Sequence, residues 1–253
     1  MAESRLIQSV ARALSILELY DSSTKELSVT EIANLLDLSK STAFSLINTL
    51  AQKGYLEQNP RDSRYSLGLK LLRLGGHVHK HNILVRRAKP FLEQLVQEFS
   101  ETVHLTVERN GMVVYIDKIR GERAIFMQSE IGAANPMYCT AVGKCLLAFM
   151  PEAKRERLLK QVEPQLLRRG PNTITNIDEL REELESIRQR GISIDDEEHA
   201  PGLMCIAAPV HTQDGEVVAS VSISGAKAGI SSKMLAEISE RIVWAAQQIS
   251  AAI

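Results

Sequence analysis

The sequence predicts an α+β protein built in two parts, and three observations carry that expectation. A compact run from Leu27 to Leu67 holds two short helical patterns followed by two strand-like segments around a turn signal. The later stretch is rich in alternating apolar runs, with hairpin signals at Asn110-Gly111 and Asp214-Gly215. Amphipathic helical patterns flank these strands, which indicates a largely antiparallel sheet with helices packed on it. The expected organisation is a first domain over residues 1–68, a linker helix over 69–82 and a second domain over 83–253. A length of 253 residues suits two domains of ordinary size with a sizeable second core.

The chain opens with QSVARALSILELY, Gln8 to Tyr20, an amphipathic helix whose Val10, Ala13, Leu14 and Leu17 share a face. In LSVTEIANLL, Thr30 precedes a short helix with Ile32, Ala33, Leu35 and Leu36 on one side, and its hydroxyl suits a helix start. The segment DLSKSTAFSLINTLAQKG follows at once, with Ser39 as a second N-cap and Gly54 as a left-handed terminator. Here Ala43, Leu46, Ile47, Leu50 and Ala51 recur at helical spacing and face the core. The outer face keeps Lys40, Ser41, Thr42, Ser45, Asn48, Thr49 and Gln52, compact donors and acceptors suited to phosphates and base edges in a major groove. YLEQNPRDSRYSLG then gives two short strands around Asn59-Pro60-Arg61-Asp62, a turn with a basic tip. Helix, tight turn, helix and hairpin make a winged helix-turn-helix, which implies binding to double-stranded DNA.

LGLKLLRLGGHVHK reads as a helix broken or frayed near Gly75-Gly76. A further helix runs from Asn82 to Ser100, with Val85, Phe91, Leu92, Leu95 and Val96 as buried candidates and Pro90 at a kink or in the first turn. HLTVERNGMVVYIDKIR is a hairpin, RAIFMQSEIG adds a third strand, and Asn135-Pro136 acts as punctuation. TAVGKCLLAFM is a short helix capped by Thr140, followed by polar helices near Glu152 to Gln161 and Asp178 to Arg190. ISIDDEE and MCIAAPVHTQDGEVVASVSISG supply further strands, and an amphipathic helix from Ser231 to Ala252 closes the chain.

Composition bounds the function. The chain is 44% hydrophobic and 24% charged, as expected of a water-soluble globular protein. No apolar run approaches the roughly 20 residues that span a bilayer, and MAESRLIQSV has no secretory leader pattern, so a cytoplasmic location is expected. Cys139, Cys145 and Cys205 are expected to be thiols, and their spacing offers no zinc site or other metal site. The net charge of -1 is not that of a non-specific nucleic-acid binder. Charge is unevenly spread: Arg64 to Lys89 carries seven Lys or Arg and no acid, directly after the wing, where it favours DNA phosphates.

Two segments of the second domain suggest a ligand site. In IGAANPMYCTAVGKCLL a Gly- and Pro-containing loop feeds a helix start at Thr140 to Gly143, whose amides suit a carboxylate or other small anion. In IDDEEHAPGLMCIAAPV, Asp195 and Cys205 flank a Pro-Gly turn, and Ser222 and Ser224 alternate onto one face of a strand. A capped helix, a solvated acidic loop and half-buried serines would account for the same residues without any ligand. An enzymatic alternative would take Cys139 or Cys205 as nucleophile with His199 and Asp195. GxSxG, HExxH, P-loop and GxGxxG motifs are all absent, so no catalytic residue and no cofactor is expected.

Over essentially its full length the chain resembles the IclR family of bacterial transcriptional regulators. The resemblance rests on QSVARALSILELY, LSVTEIANLLDLSKSTAFSLINTLAQKGYL, RYSLGLKLLRLG, MYCTAVGKCLLAF, IDDEEHAPGLMCIAAPV and SVSISG, in order and at family spacing. It implies a winged helix, a linker helix and a GAF-like effector-binding domain, acting as a dimer or dimer of dimers, as repressor or sometimes activator. Carrying family pocket positions onto this chain gives Met127, Ala141, Val142, Asp195, Leu203, Cys205, Ser222 and Ser224 as effector-binding residues. DNA is expected to be read by Ser41, Thr42, Ser45 and Asn48, with Lys40, Arg61 and Arg64 on the backbone. Two departures stand out. Relatives often carry an aromatic residue or His followed by Arg where this chain has Phe44 and Ser45, which removes the commonest contact to guanine. Ala141 and Val142 occupy positions where small residues including Gly occur, so Val142 is expected to narrow the cavity. The reading is a repressor of a catabolic operon that responds to a small organic acid, for instance a sugar acid.

Overall fold

A computed structural model describes residues 6–21, 23–123 and 129–253. The chain forms two compact units, residues 1–80 and 81–253. In the first, α1 (Gln8–Glu18), α2 (Val29–Leu35) and α3 (Lys40–Gln52) surround a core of Ile16, Ile32, Ala33, Ala43, Ile47 and Leu50. The strands β1 (Leu56–Gln58) and β2 (Tyr65–Leu67) pair antiparallel, with Leu56 opposite Leu67, and Leu56 and Tyr65 close the core. α4 (Leu69–His81) follows the hairpin.

Several local expectations are corrected. The cap of α2 is Ser28, not Thr30: Ser28 accepts from Glu31 N at 3.3 Å and Glu31 reciprocates on Ser28 N at 2.8 Å. This reciprocal pair satisfies two orphan amides, which Thr30 inside the helix cannot do. Leu35 is 60% exposed, so the inward face of α2 is Ile32 and Ala33. In α1, Ile16 is buried with Ala13 and Leu17 beside it, whereas Val10 and Leu14 lie exposed. α4 runs unbroken through Gly75 and Gly76; the two glycines weaken a helix without forbidding it. Ser39 does cap α3, accepting from Thr42 N at 3.2 Å, and Gly54 takes the left-handed conformation at φ 77°.

Among the described residues, the second unit holds a six-stranded antiparallel sheet in the order β5-β4-β3-β8-β7-β6. Its strands are β3 (Thr102–Arg109), β4 (Met112–Ile119), β5 (Ala134–Pro136), β6 (Ser193–Asp196), β7 (Leu203–His211) and β8 (Val217–Ala226). Asn110 and Gly111, both at positive φ, turn β3 into β4. Asn135-Pro136 belongs to β5 rather than to a turn; Pro is tolerated because β5 is an edge strand. Half of the strand expected in RAIFMQSEIG, residues 124–128, lies outside the described residues.

α5 (Ile83–Phe99), capped by Asn82, and α9 (Ser232–Ala252), capped by Ser231, cover one sheet face. Pro90 sits inside α5 on its exposed side, so the carbonyl it cannot serve faces water. Val103, Leu105, Ile206, Ala208, Val221 and Ile223 point into this apolar layer. The opposite face is covered by α6 (Ala141–Phe149), α7 (Glu152–Val162) and α8 (Ile177–Arg190). There the same strands present Thr102, His104, Thr106, Ser220, Ser222, Ser224 and Cys205, all buried. A sheet face that is both buried and polar is uncommon in a packing layer and marks where a site can form.

Candidate nucleic-acid interface and ligand cavity

α3 turns Ala43, Ile47 and Leu50 inward, which leaves Lys40, Ser41, Phe44, Ser45, Asn48, Thr49 and Gln52 exposed. Its hydroxyls are partly committed. Ser45 Oγ donates to the Ser41 carbonyl at 3.0 Å and Thr49 Oγ1 to the Ser45 carbonyl at 2.8 Å. Thr42 is half-buried and its hydroxyl meets Ser39 Oγ at 2.8 Å, so it supports the helix start more than the outer face. At the wing, Arg61 is exposed on the turn, whereas Arg64 reaches back to Glu31 at 2.8 Å and the Glu26 carbonyl at 3.1 Å. Arg64 thereby ties the wing to α2, a role that sequence reasoning did not assign.

In the second unit, register assembles the site. Asp195 of β6 lies opposite Cys205 of β7, and Cys205 opposite Ser224 of β8, a single row across three strands. Ser222 stands two residues along β8, opposite His104 of β3. Over this row sits the start of α6. Thr140 Oγ1 accepts from Gly143 N at 3.1 Å, and the first intrahelical bond is Lys144 N to the Thr140 carbonyl at 2.9 Å. The amides of Ala141 and Val142 precede that bond and lie at the positive end of the helix. Gly143 lets the helix start approach closely, since a Cβ there would lie 2.4 Å from the Met137 backbone.

These groups enclose one small cavity. Of the expected positions, Ala141, Val142, Asp195, Leu203, Cys205, Ser222 and Ser224 line it, while Met127 lies outside the described residues. Thr140, expected at the helix start, lines it as well, and so do Tyr115 and His199, which the sequence reading had not placed in an effector pocket. The free volume is about 20 Å³, room for about one water. An organic acid needs the walls to part, and Val142 is one of the side chains that fill the space.

The electrostatics suit a polar guest. Burial pushes the Asp195 carboxyl up to about 7, although it accepts from the amides of Glu198 at 2.8 Å and His199 at 3.2 Å. His104 is wholly buried, bonded to Ser129 Oγ at 2.8 Å and 3.5 Å from Ser222 Oγ; burial and then Lys118 hold it neutral, with its pKa lowered to about 3. One turn into α6, Lys144, 1% exposed, bonds Glu198, Glu183 at 3.4 Å and the Ile194 carbonyl at 2.8 Å. This buried cation joins α6, α8 and the turn after β6.

The arrangement does not form a cysteine nucleophile. Cys139 Sγ lies 3.8 Å from His199 Nδ1, but burial raises its thiol to about 12 and lifts Cys205 well above its ordinary value. Asp195 bonds the His199 backbone amide, not its ring, so the imidazole beside Cys139 has no carboxylate to orient it as a triad would. All three cysteines are free thiols. Among the described residues there is no His, Cys, Asp and Glu cluster able to hold a metal, and no helix is long and apolar enough to cross a membrane.

Comparison with known proteins agrees with this division. Residues 9–60 match the IclR helix-turn-helix domain, and residues 76–251 match the bacterial transcriptional regulator IclR C-terminal domain. The chain is 36% identical over 248 residues to the HTH-type transcriptional regulator XynR of Escherichia coli, covering 98% of each. It is 35% identical to the regulator KdgR of the same organism, over 97% of this chain and 92% of that one. The crystal structure of the Thermotoga maritima IclR superposes with a TM-score of 0.79 at 36% identity, covering 97% of this chain and 98% of the other.

Proposed function

The chain belongs to the IclR family of bacterial transcriptional regulators, and on that premise we propose that it is a repressor of a catabolic operon released by a small organic acid. The curated relatives are transcriptional regulators, not enzymes. The partners are DNA and a small-molecule effector; the class of that molecule and the number of copies that assemble belong to the proposal.

One observation carries the effector class: the first residues of α6, Ala141 and Val142, line the same small cavity as Ser222, Ser224 and Asp195. The amides and serine hydroxyls donate to a carboxylate, and Asp195 takes up a hydroxyl of the same molecule. Asp195 opposite the carboxylate would repel it if ionised, which favours a hydroxylated acid over a simple dicarboxylate. On the DNA side, Ser41, Ser45 and Asn48 face the groove, Lys40 and Arg61 take phosphates, and Arg64 holds the wing that presents Arg61.

Two copies form the working unit. One winged helix contacts too few base pairs for strong discrimination, and two-fold dimers on pseudo-palindromes are the usual remedy. Val10 and Leu14 of α1 are left exposed, and α4 buries none of its side chains although Leu69, Leu72 and Val78 are apolar. These faces are suited to a second copy.

The experiment is calorimetry of the full chain against sugar acids, dicarboxylates and aromatic acids, followed by anisotropy on operator DNA and run-off transcription with the acid that binds. A hydroxylated acid that binds, weakens operator affinity and relieves transcription is expected. An acid that binds without changing operator affinity contradicts the reading, and a monomer with full operator affinity in sedimentation contradicts the assembly.

A further inference from the structure

Phe44 is the one aromatic side chain on α3, and it stands outward at 53% exposure in the middle of the face opposite the core. Its exposed neighbours one turn away are Lys40, Ser41 and Asn48. The first unit has a complete apolar core without it. Leaving a phenyl ring in water on a short helix gains nothing for the fold, so its use lies in what α3 meets.

The hydrogen-bonding inventory of α3 narrows that use. The helix has no Arg, the residue that most often reads guanine. Ser45 and Thr49 have given their protons to the helix carbonyls at 3.0 and 2.8 Å, so outward they offer acceptors only. Ser41 Oγ lies 3.1 Å from Ser39 Oγ, within the cap. Two exposed amides, Asn48 and Gln52, can pair with a base edge at two points, and the edge that matches is adenine N6 and N7; Asn48 is the one a single turn from Phe44. The one large apolar contact on the face is Phe44, and the one apolar group that a base pair presents in the major groove is the thymine 5-methyl.

We propose that Phe44 is a specificity-determining residue that packs on a thymine 5-methyl beside the base pair read by Asn48, so that α3 selects an A·T-containing step. The proposal rests on the DNA-binding reading above and deepens it. Specificity here comes from shape and methyl burial rather than from a guanidinium.

The test removes the methyl and nothing else. The full chain selects duplexes from a random pool, and the enriched sequence is remade with deoxyuridine replacing each thymine in turn, which keeps every hydrogen bond. Burying one methyl is worth roughly fourfold in affinity. Wild type is expected to lose roughly that factor at one or two thymines per half-site, next to an adenine whose change is equally costly. Phe44→Ala should bind the thymine duplex more weakly and lose less than twofold on substitution at those positions. Phe44→Leu, which keeps an apolar contact, should fall between them. Unchanged thermal melting of both variants shows that the fold is intact, as the exposure of Phe44 leads one to expect.

Equal affinity of wild type for every uracil duplex overturns the proposal, and so does an equal loss in wild type and Phe44→Ala. Either result leaves the DNA-binding reading standing. If the chain enriches no duplex above background, both fail together.

Discussion

The two units keep their functional groups in opposite ways. In the first, Ser41, Phe44, Ser45 and Asn48 lie exposed on the side of α3 that the core does not use. They cost the fold little, because water satisfies them until DNA replaces it. In the second, Asp195, Ser222 and Ser224 are buried against the start of α6, within a free volume of about 20 Å³. Buried polar groups are costly unless paired, and here the fold supplies partners, two backbone amides for Asp195 and His104 for Ser222. On the proposed function, the contrast separates a DNA-reading surface, ready as it stands, from an effector cavity that has to open to be filled. An element that must open has two states, and a ligand acts only by preferring one of them.

The largest way to break the contrast is to remove the buried cation of α6. Lys144→Met leaves Glu198 and Glu183 without their shared partner and removes the ammonium donor to the Ile194 carbonyl. The expected loss is about 3–5 kcal/mol, as for other buried pairs broken on one side. Urea denaturation followed by tryptophan fluorescence reads it, since Trp244 lies in α9 of the same unit. Adding Glu198→Leu should recover part of that loss, and failure of the double variant to improve on the single one would remove the pairing from the account.

Next in size is a pH effect confined to the second unit. Asp195 has its folded pKa raised to about 7 by burial, against an ordinary value of 3.8. The folded state therefore holds a proton that the unfolded chain has released, and stability falls as pH rises from about 4 to about 7, then levels off. The slope contributed approaches about 1.4 kcal/mol per pH unit within that window. Asp195→Asn should flatten that part of the stability curve. An unchanged slope in the variant would mean that the carboxyl is already ionised in the fold.

The smallest effect belongs to the first unit. Ser28→Ala removes the side-chain acceptor of the α2 cap and is expected to cost about 1 kcal/mol in thermal stability. Thr30→Ala should cost less, because Thr30 lies inside the helix rather than at its cap. A larger loss for Thr30→Ala would restore the cap expected from the sequence.

That cap also shows what was legible. Ser28-Val29-Thr30-Glu31 carries the spacing of a reciprocal cap, a signal present in the sequence and passed over in favour of Thr30. The helix-turn-helix was readable because its periods are local: Ala43, Ile47 and Leu50 face inward as spaced. Leu35 was not, since only packing decides which of two adjacent leucines turns inward. The edge strand β5 was hidden because Pro136 signals a break everywhere except at an edge. In the cavity, alternation placed Ser222 and Ser224 on one face, but their meeting with Asp195 depends on a register across three strands. Tyr115 and His199 reach the cavity from β4 and from the turn after β6, elements that no local pattern joins to α6.

The central claim is that the cavity governs the hold on DNA, and one titration tests it most directly. Operator affinity is measured by anisotropy at fixed salt, with and without the acid identified by calorimetry, for wild type and for Ser222→Ala combined with Ser224→Ala. The account predicts equal operator affinity without ligand, a shift of roughly 5- to 150-fold in wild type, and little or no shift in the double variant. A double variant that responds to the same acid with unaltered affinity and coupling would contradict it.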